Sequence, residues 1–211
     1  MESNQDYFED IKTIKKIMEE SSRFLSLSGL SGLFAGSFAL LGGVTAYLIF
    51  IENKELFFNE YINKIPFEES GSTAIKILLV ALIVLTLAVG SALYFSFKRA
   101  KAQGVKIWTP ISKRLLLNFL IPLIAGGAFV SILIFESQWQ LVVPSMLIFY
   151  GLALVNSGKF TYSEVFYLGL AEIITGLAAA FFPEYVLLSW CFGFGLLHII
   201  YGLIMYRKYE V

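Results

Sequence analysis

Two residues of this chain could carry acid–base chemistry inside an apolar medium: Glu172 and His198, the latter the single histidine. Glu172 lies ten residues past Tyr162 in an apolar run, which on a helix rising 1.5 Å per residue puts it about 15 Å deep. His198 lies nine residues before Arg207, about 14 Å deep by the same rise. Both depths fall near the middle of a hydrocarbon layer roughly 30 Å thick. A carboxyl at that depth is costly unless it is protonated or paired, so such residues mark functional sites by default. On its helix Glu172 is flanked by Gly169, Thr175, Gly176 and Ala179, a small and weakly polar stripe that should face protein. His198 has Cys191, Gly195, Tyr201 and Gly202 beside it. The short turn Phe182-Pro183-Glu184 makes the two runs an antiparallel hairpin, so the two side chains can meet. Two readings stay open: a proton-linked or substrate site, and a hydrogen-bonded pair that locks the hairpin.

Other chemistry is limited by inventory. One cysteine, Cys191, and one histidine exclude an intramolecular disulfide, a thiolate metal cluster, a two-histidine metal site and bis-histidine haem ligation from a single chain. No Gly-x-Ser-x-Gly or His-Glu-x-x-His occurs. Aspartate occurs only as Asp6 and Asp10, so the paired aspartates of Mg²⁺-dependent membrane transferases are missing. These residues describe a non-enzymatic protein without metal or other cofactor. Ser28, Gly32 and Gly36 recur at four-residue spacing, which lets two helix backbones approach closely. They are expected to pack helices.

The elements that must position these residues follow from hydropathy. Hydrophobic residues make up 57% of the 211 and charged ones only 15%, against about 25% charged in soluble domains. About 20 apolar residues cross a bilayer, and the runs near 24–51, 73–97, 115–135, 141–155, 162–182 and 185–206 meet or approach that length. None alternates polar with apolar residues as a barrel strand would. The expectation is an all-α integral membrane bundle of six transmembrane helices over residues 24–211. The last four spans form two hairpins with the short turns Glu136-Ser137-Gln138 and Phe182-Pro183-Glu184. Residues 1–23 lack the composition of a cleavable signal. Phe8, Ile11, Ile14 and Met18 there recur at helical steps, with Lys and Glu opposite, as in an amphipathic cytoplasmic or interfacial helix. That helix could rest on the bilayer or bind a protein partner.

Orientation follows from the basic residues. Thirteen of the 16 Lys and Arg lie in the amino-terminal segment, the second and fourth loops and the carboxyl end. The positive-inside rule therefore places both termini in the cytoplasm. The second loop carries Lys98, Arg99, Lys101, Lys106, Lys113 and Arg114 without an acid; topogenic charge accounts for it, and anionic lipid could also bind there. It lacks the aromatic platform of a nucleic-acid module. The expected partners are the lipid bilayer and a protein at the amino-terminal helix; a homo-oligomer stays open, and nucleic acid does not fit.

Phe149-Tyr150-Gly151-Leu152 closes the fourth span and Ile200-Tyr201-Gly202-Leu203 the sixth, 51 residues later, a weak internal repeat. The segment Tyr167 to Lys208, with two Gly-rich spans, a Pro at the turn and a terminal Tyr-Gly-Leu, resembles the hairpin repeat of the HdeD-type acid-resistance membrane proteins. Ser21-Ser22-Arg23-Phe24-Leu25-Ser26-Leu27-Ser28-Gly29-Leu30-Ser31-Gly32 is similar to the start of a family of uncharacterised six-span bacterial membrane proteins. The long first loop and basic second loop depart from the HdeD pattern. These resemblances imply a bacterial inner-membrane protein, and the amino-terminal helix with the small-residue faces leads to the expectation of a structural, interaction or stress-response component. The alternative from the residues themselves is a small transporter or channel with a proton-linked site at Glu172 and His198.

Overall fold

Each apolar run is long enough to satisfy its own backbone as a helix, the form that a single segment can take in hydrocarbon. The computed structural model describes residues 24–52 and 67–211. The amphipathic segment 1–23 and most of the first loop lie outside the described residues. Among the described residues the chain is helical, with no strand. The helices are α1 (Gly29–Glu52), α2 (Phe67–Gln103), α3 (Pro110–Phe135), α4 (Val142–Ser157), α5 (Ser163–Phe181), α6 (Val186–Trp190) and α7 (His198–Tyr209). The sixth span is therefore not continuous: a π-helical segment, Cys191–Leu197, joins α6 to α7. Six helical stretches are long and apolar enough to cross a membrane. Their outward faces carry Leu41, Leu82, Ile83, Leu93, Ile121, Ile124 and Ile174, an apolar surface larger than soluble monomers expose. The protein is a multi-pass, all-α membrane bundle.

Local signals set several boundaries. Thr109 caps α3, its side chain accepting from Ser112 N while the Ser112 hydroxyl accepts from Thr109 N, and Pro110 occupies the first turn. The second span runs past Phe97 to Gln103, six residues beyond the apolar stretch. It stops at Gly104, whose φ of 65° lets Val105 N reach back to Ala100 O. The first span starts at Gly29 and not at Phe24, because Phe24–Ser28 is held away from helix by other partners. Phe24 N donates to Phe160 O, and Thr161 Oγ1 and Tyr162 Oη donate to the carbonyls of Phe24 and Leu25.

In space α2 lies on α1, α1 on the sixth span, the sixth span on α5 and α4, α5 on α4, and α4 on α3. Two of these pairs bring backbones into contact at glycines. A Cβ on Gly151 would lie 2.6 Å from Gly169 O and 2.9 Å from Ile173 N, and one on Gly176 would meet Pro144 O at 2.9 Å and Ile148 N at 3.0 Å. Between α1 and the sixth span, a Cβ on Gly202 would lie 2.7 Å from Gly29 O and 2.6 Å from Leu33 N. One on Gly36 would meet Gly195 O at 2.5 Å and Ile199 N at 3.0 Å. The register is the same in both pairs. Pro144, Ile148 and Gly151 answer to Gly195, Ile199 and Gly202, each 51 residues further on. Gly29, Leu33 and Gly36 answer in the same way to Gly169, Ile173 and Gly176.

Candidate functional site

Glu172 lies in the middle of α5 with no solvent exposure, facing the π-helical segment and α4. That approach needs Gly193, where a Cβ would lie 2.5 Å from Leu147 Cδ2 and 2.7 Å from Glu172 Oε2. His198 opens α7 directly after the π-helical segment, and its Nδ1 is 3.3 Å from Glu172 Oε1. The structure thus brings these two side chains together, but without a hydrogen bond between them. Nδ1 instead meets the carbonyl of Gly193 at 3.2 Å, and Nε2 meets Tyr150 Oη at 2.8 Å. A carbonyl can only accept, so the contact with Gly193 O puts a proton on Nδ1. Neither carboxyl oxygen of Glu172 has a hydrogen-bond partner among the described residues.

An orphaned buried carboxyl is rare in native structures and calls for a physical reason. Thr175, next on the polar stripe, does not supply a partner, since its hydroxyl bonds to Ala171 O of its own helix at 2.8 Å. Aromatic rings wall the cluster: Tyr150 stacks on His198 with centroids 5.5 Å apart, Phe194 packs on Tyr150 at 5.5 Å, and Trp190 on Phe194 at 4.8 Å. Trp190 Nε1 donates to Ala39 O, tying the sixth span to α1. The arrangement is a carboxyl, an imidazole and a phenol in sequence.

Of the expected packing residues, Gly32 and Gly36 lie against the sixth span, Gly32 at His198 O and the Tyr201 ring, Gly36 at Gly195 O. Ser28 precedes the helix, and its hydroxyl donates to Glu210 Oε2 at 3.2 Å. Glu210 belongs to a second polar cluster at one end of the bundle. Its Oε1 accepts from Gly29 N at 2.5 Å and pairs with Arg99 Nη1 at 2.9 Å. The Arg99 guanidinium also donates to Leu27 O at 2.5 Å, Tyr209 O at 3.0 Å and Tyr162 Oη at 3.3 Å. Burial raises the Tyr162 hydroxyl above its ordinary pKa, the nearby Arg99 charge offsetting part of that rise. Beside this cluster, Glu164 pairs with Lys208 at 2.6 Å and accepts from Tyr209 Oη at 3.1 Å.

Sequence reasoning missed Tyr150, Gly193, Arg99, Tyr162 and Glu210. Tyr150 carried one signal, its place in the repeated Tyr-Gly-Leu. Arg99 is one of six basic residues in its loop, and nothing local distinguishes it. Among the described residues no three of His, Cys, Asp and Glu converge as metal ligands would. No protein-family model matches the chain, and no curated protein or solved structure matches it either.

Proposed function

We propose that this chain is a proton-linked membrane transporter or channel in which Glu172 takes up and releases a proton, with His198 and Tyr150 as its relay. The observation that carries this reading is the orphaned carboxyl. A pair that served only to lock the hairpin would gain by satisfying both oxygens, because a half-satisfied polar network is worse than an apolar one. Two further features support it. π-Helical segments occur often at functional sites, and here one lies against the carboxyl. Coupling-ion sites of transporters also lie near the midplane, where interrupted helices meet at the boundary between internal repeats. We read the α4/α5 pair and the pair of α1 with the sixth span as two copies of one packing unit, with Glu172 at their junction.

We place the protein in a bacterial inner membrane with both termini cytoplasmic, from the charge distribution and the resemblances. Cysteines placed singly at Gln103 and Glu136 in a Cys191→Ala background test this. An impermeant thiol reagent should reach Glu136→Cys in intact cells and Gln103→Cys only after lysis; the reverse would overturn the orientation. A second reading, a structural or stress-response component, is favoured by the backbone-to-backbone glycine contacts, which suit a static scaffold.

The test between the two is Glu172→Gln, which keeps size and polarity but cannot exchange a proton. Purified protein in liposomes should show proton flux under an imposed potential, and Glu172→Gln should abolish it at unchanged thermal stability. In parallel, an infrared carboxyl band lost in Glu172→Gln should titrate with pH in the wild type. A band that does not titrate, or flux that survives the substitution, would give the scaffold reading precedence.

A further inference from the structure

Each of the two glycine-locked pairs is held together through backbone contacts, and neither pair can open without separating main chains that touch. The boundary between the pairs is different. At the end where Phe24 and Val211 lie, it is closed by side chains and one backbone bond, Phe24 N to Phe160 O at 2.7 Å. Tyr162 and Thr161, beside α5, hold the carbonyls of Leu25 and Phe24 ahead of α1. Glu164 on α5 accepts from Lys208 and Tyr209 at the end of α7. Glu210, after α7, holds Ser28 and Gly29 within its own pair and anchors Arg99. Arg99, arriving from α2, bonds to both sides at once through Tyr162, Leu27, Tyr209 and Glu210. Beneath this clasp an apolar plug of Leu154, Val165, Leu168 and Met205 fills the space, with Tyr150 and Tyr201 packed against it. Met205, fully buried, lies seven residues past His198, about 10 Å further along the helix. The plug and clasp therefore stand in series between Glu172 and the aqueous phase at that end.

We infer that the Arg99–Tyr162–Glu210 clasp is a gate: its release lets the two glycine-locked pairs part at this end and opens the route to Glu172. The inference rests on the proton-linked reading for its purpose, but not for its test. The clasp suits a gate because Arg99 and Tyr162 bond across the boundary through side chains, Glu210 anchors Arg99 on one side of it, and these bonds can be broken without disturbing the glycine contacts inside either pair. Bistable interfaces of this kind turn a local change into a rigid-body one.

The reporter is Met205→Cys in a Cys191→Ala background, in the full chain in lipid nanodiscs, reacted with a small cationic thiosulfonate. With the clasp intact the buried thiol should react slowly. Glu210→Gln and the milder Tyr162→Phe, which keeps the ring and removes the hydroxyl, should each raise the rate, Glu210→Gln by about tenfold or more as the open population grows. Lys106→Gln, which removes an exposed charge of the second loop, should leave the rate unchanged. If Glu210→Gln fails to fold, the Tyr162→Phe comparison still decides. Unchanged labelling in a folded Glu210→Gln or Tyr162→Phe protein would overturn the gate, as would an equal rise with Lys106→Gln. That failure is distinguishable from failure of the functional reading, where labelling responds to the clasp but Glu172→Gln leaves proton flux intact.

Discussion

Two carboxylates in this molecule are treated in opposite ways. Glu210, at one end of the bundle, accepts from a backbone amide, a serine hydroxyl and a guanidinium. Glu172, at the centre and with no solvent exposure, accepts from nothing among the described residues. The better-satisfied group is the one nearer water, where satisfaction matters less. Low dielectric raises both the gain from a completed network and the cost of an incomplete one. The clasp thus looks like a device for holding, and the central cluster like a place kept ready for something that arrives. Substitutions at the two sites should therefore move stability in opposite directions.

The largest loss is expected at Arg99. Its side chain and that of Glu210 are only 10% and 15% exposed, so Arg99→Ala leaves a poorly hydrated carboxylate unpaired. Breaking such a pair costs about 3 kcal/mol, to be read as a fall in thermal midpoint in detergent. Next is Gly193→Ala. The added methyl collides with Leu147 and Glu172, and overpacking of this kind costs about 2 kcal/mol. A cycle with Glu172→Ala should recover part of that cost, and strict additivity would mean that the carboxyl is not what the methyl strikes.

A smaller effect separates the two contacts of His198. Hydrogen bonds inside membranes average about 0.6 kcal/mol, with a maximum near 1.7. A Tyr150→Phe and His198→Leu cycle should show coupling in that range, whereas Glu172→Leu with His198→Leu should show less. The reverse order would mean that the imidazole bonds to the carboxyl and not to the phenol. Glu172→Leu alone should leave stability, read from the thermal midpoint, unchanged or raise it by about 1 kcal/mol, since it removes an unsatisfied group. A large fall would erase the contrast between the two carboxylates. A comparably small effect is expected for Lys208→Gln: the side chain is 56% exposed and Glu164, itself 14% exposed, keeps the Tyr209 hydroxyl, so the loss should stay within about 1 kcal/mol.

The all-α fold and its six spans were legible in the sequence, because hydrophobic length is a local property that one run states about itself. So was the depth of Glu172 and His198, which needs only a count of residues from a span's end. The short turn before the sixth span further placed those two residues on neighbouring helices. What the sequence did not state was contact between spans far apart in the chain. Tyr150 reaches His198 from 48 residues away, Arg99 reaches Glu210 from 111, and Tyr162 reaches Leu25 from 137. Hydropathy carries no record of which apolar face meets which. The same blindness hid the π-helical segment, whose residues read as an ordinary apolar span: its Gly193 and Gly195 gain their meaning only from the carboxyl and the α1 side chain packed against them. Composition and spacing thus determined that a carboxyl and an imidazole would lie deep in the bundle. Only the packing of helices decided that the imidazole would bond to a phenol and that the carboxyl, though 3.3 Å from the imidazole, would accept no hydrogen bond among the described residues.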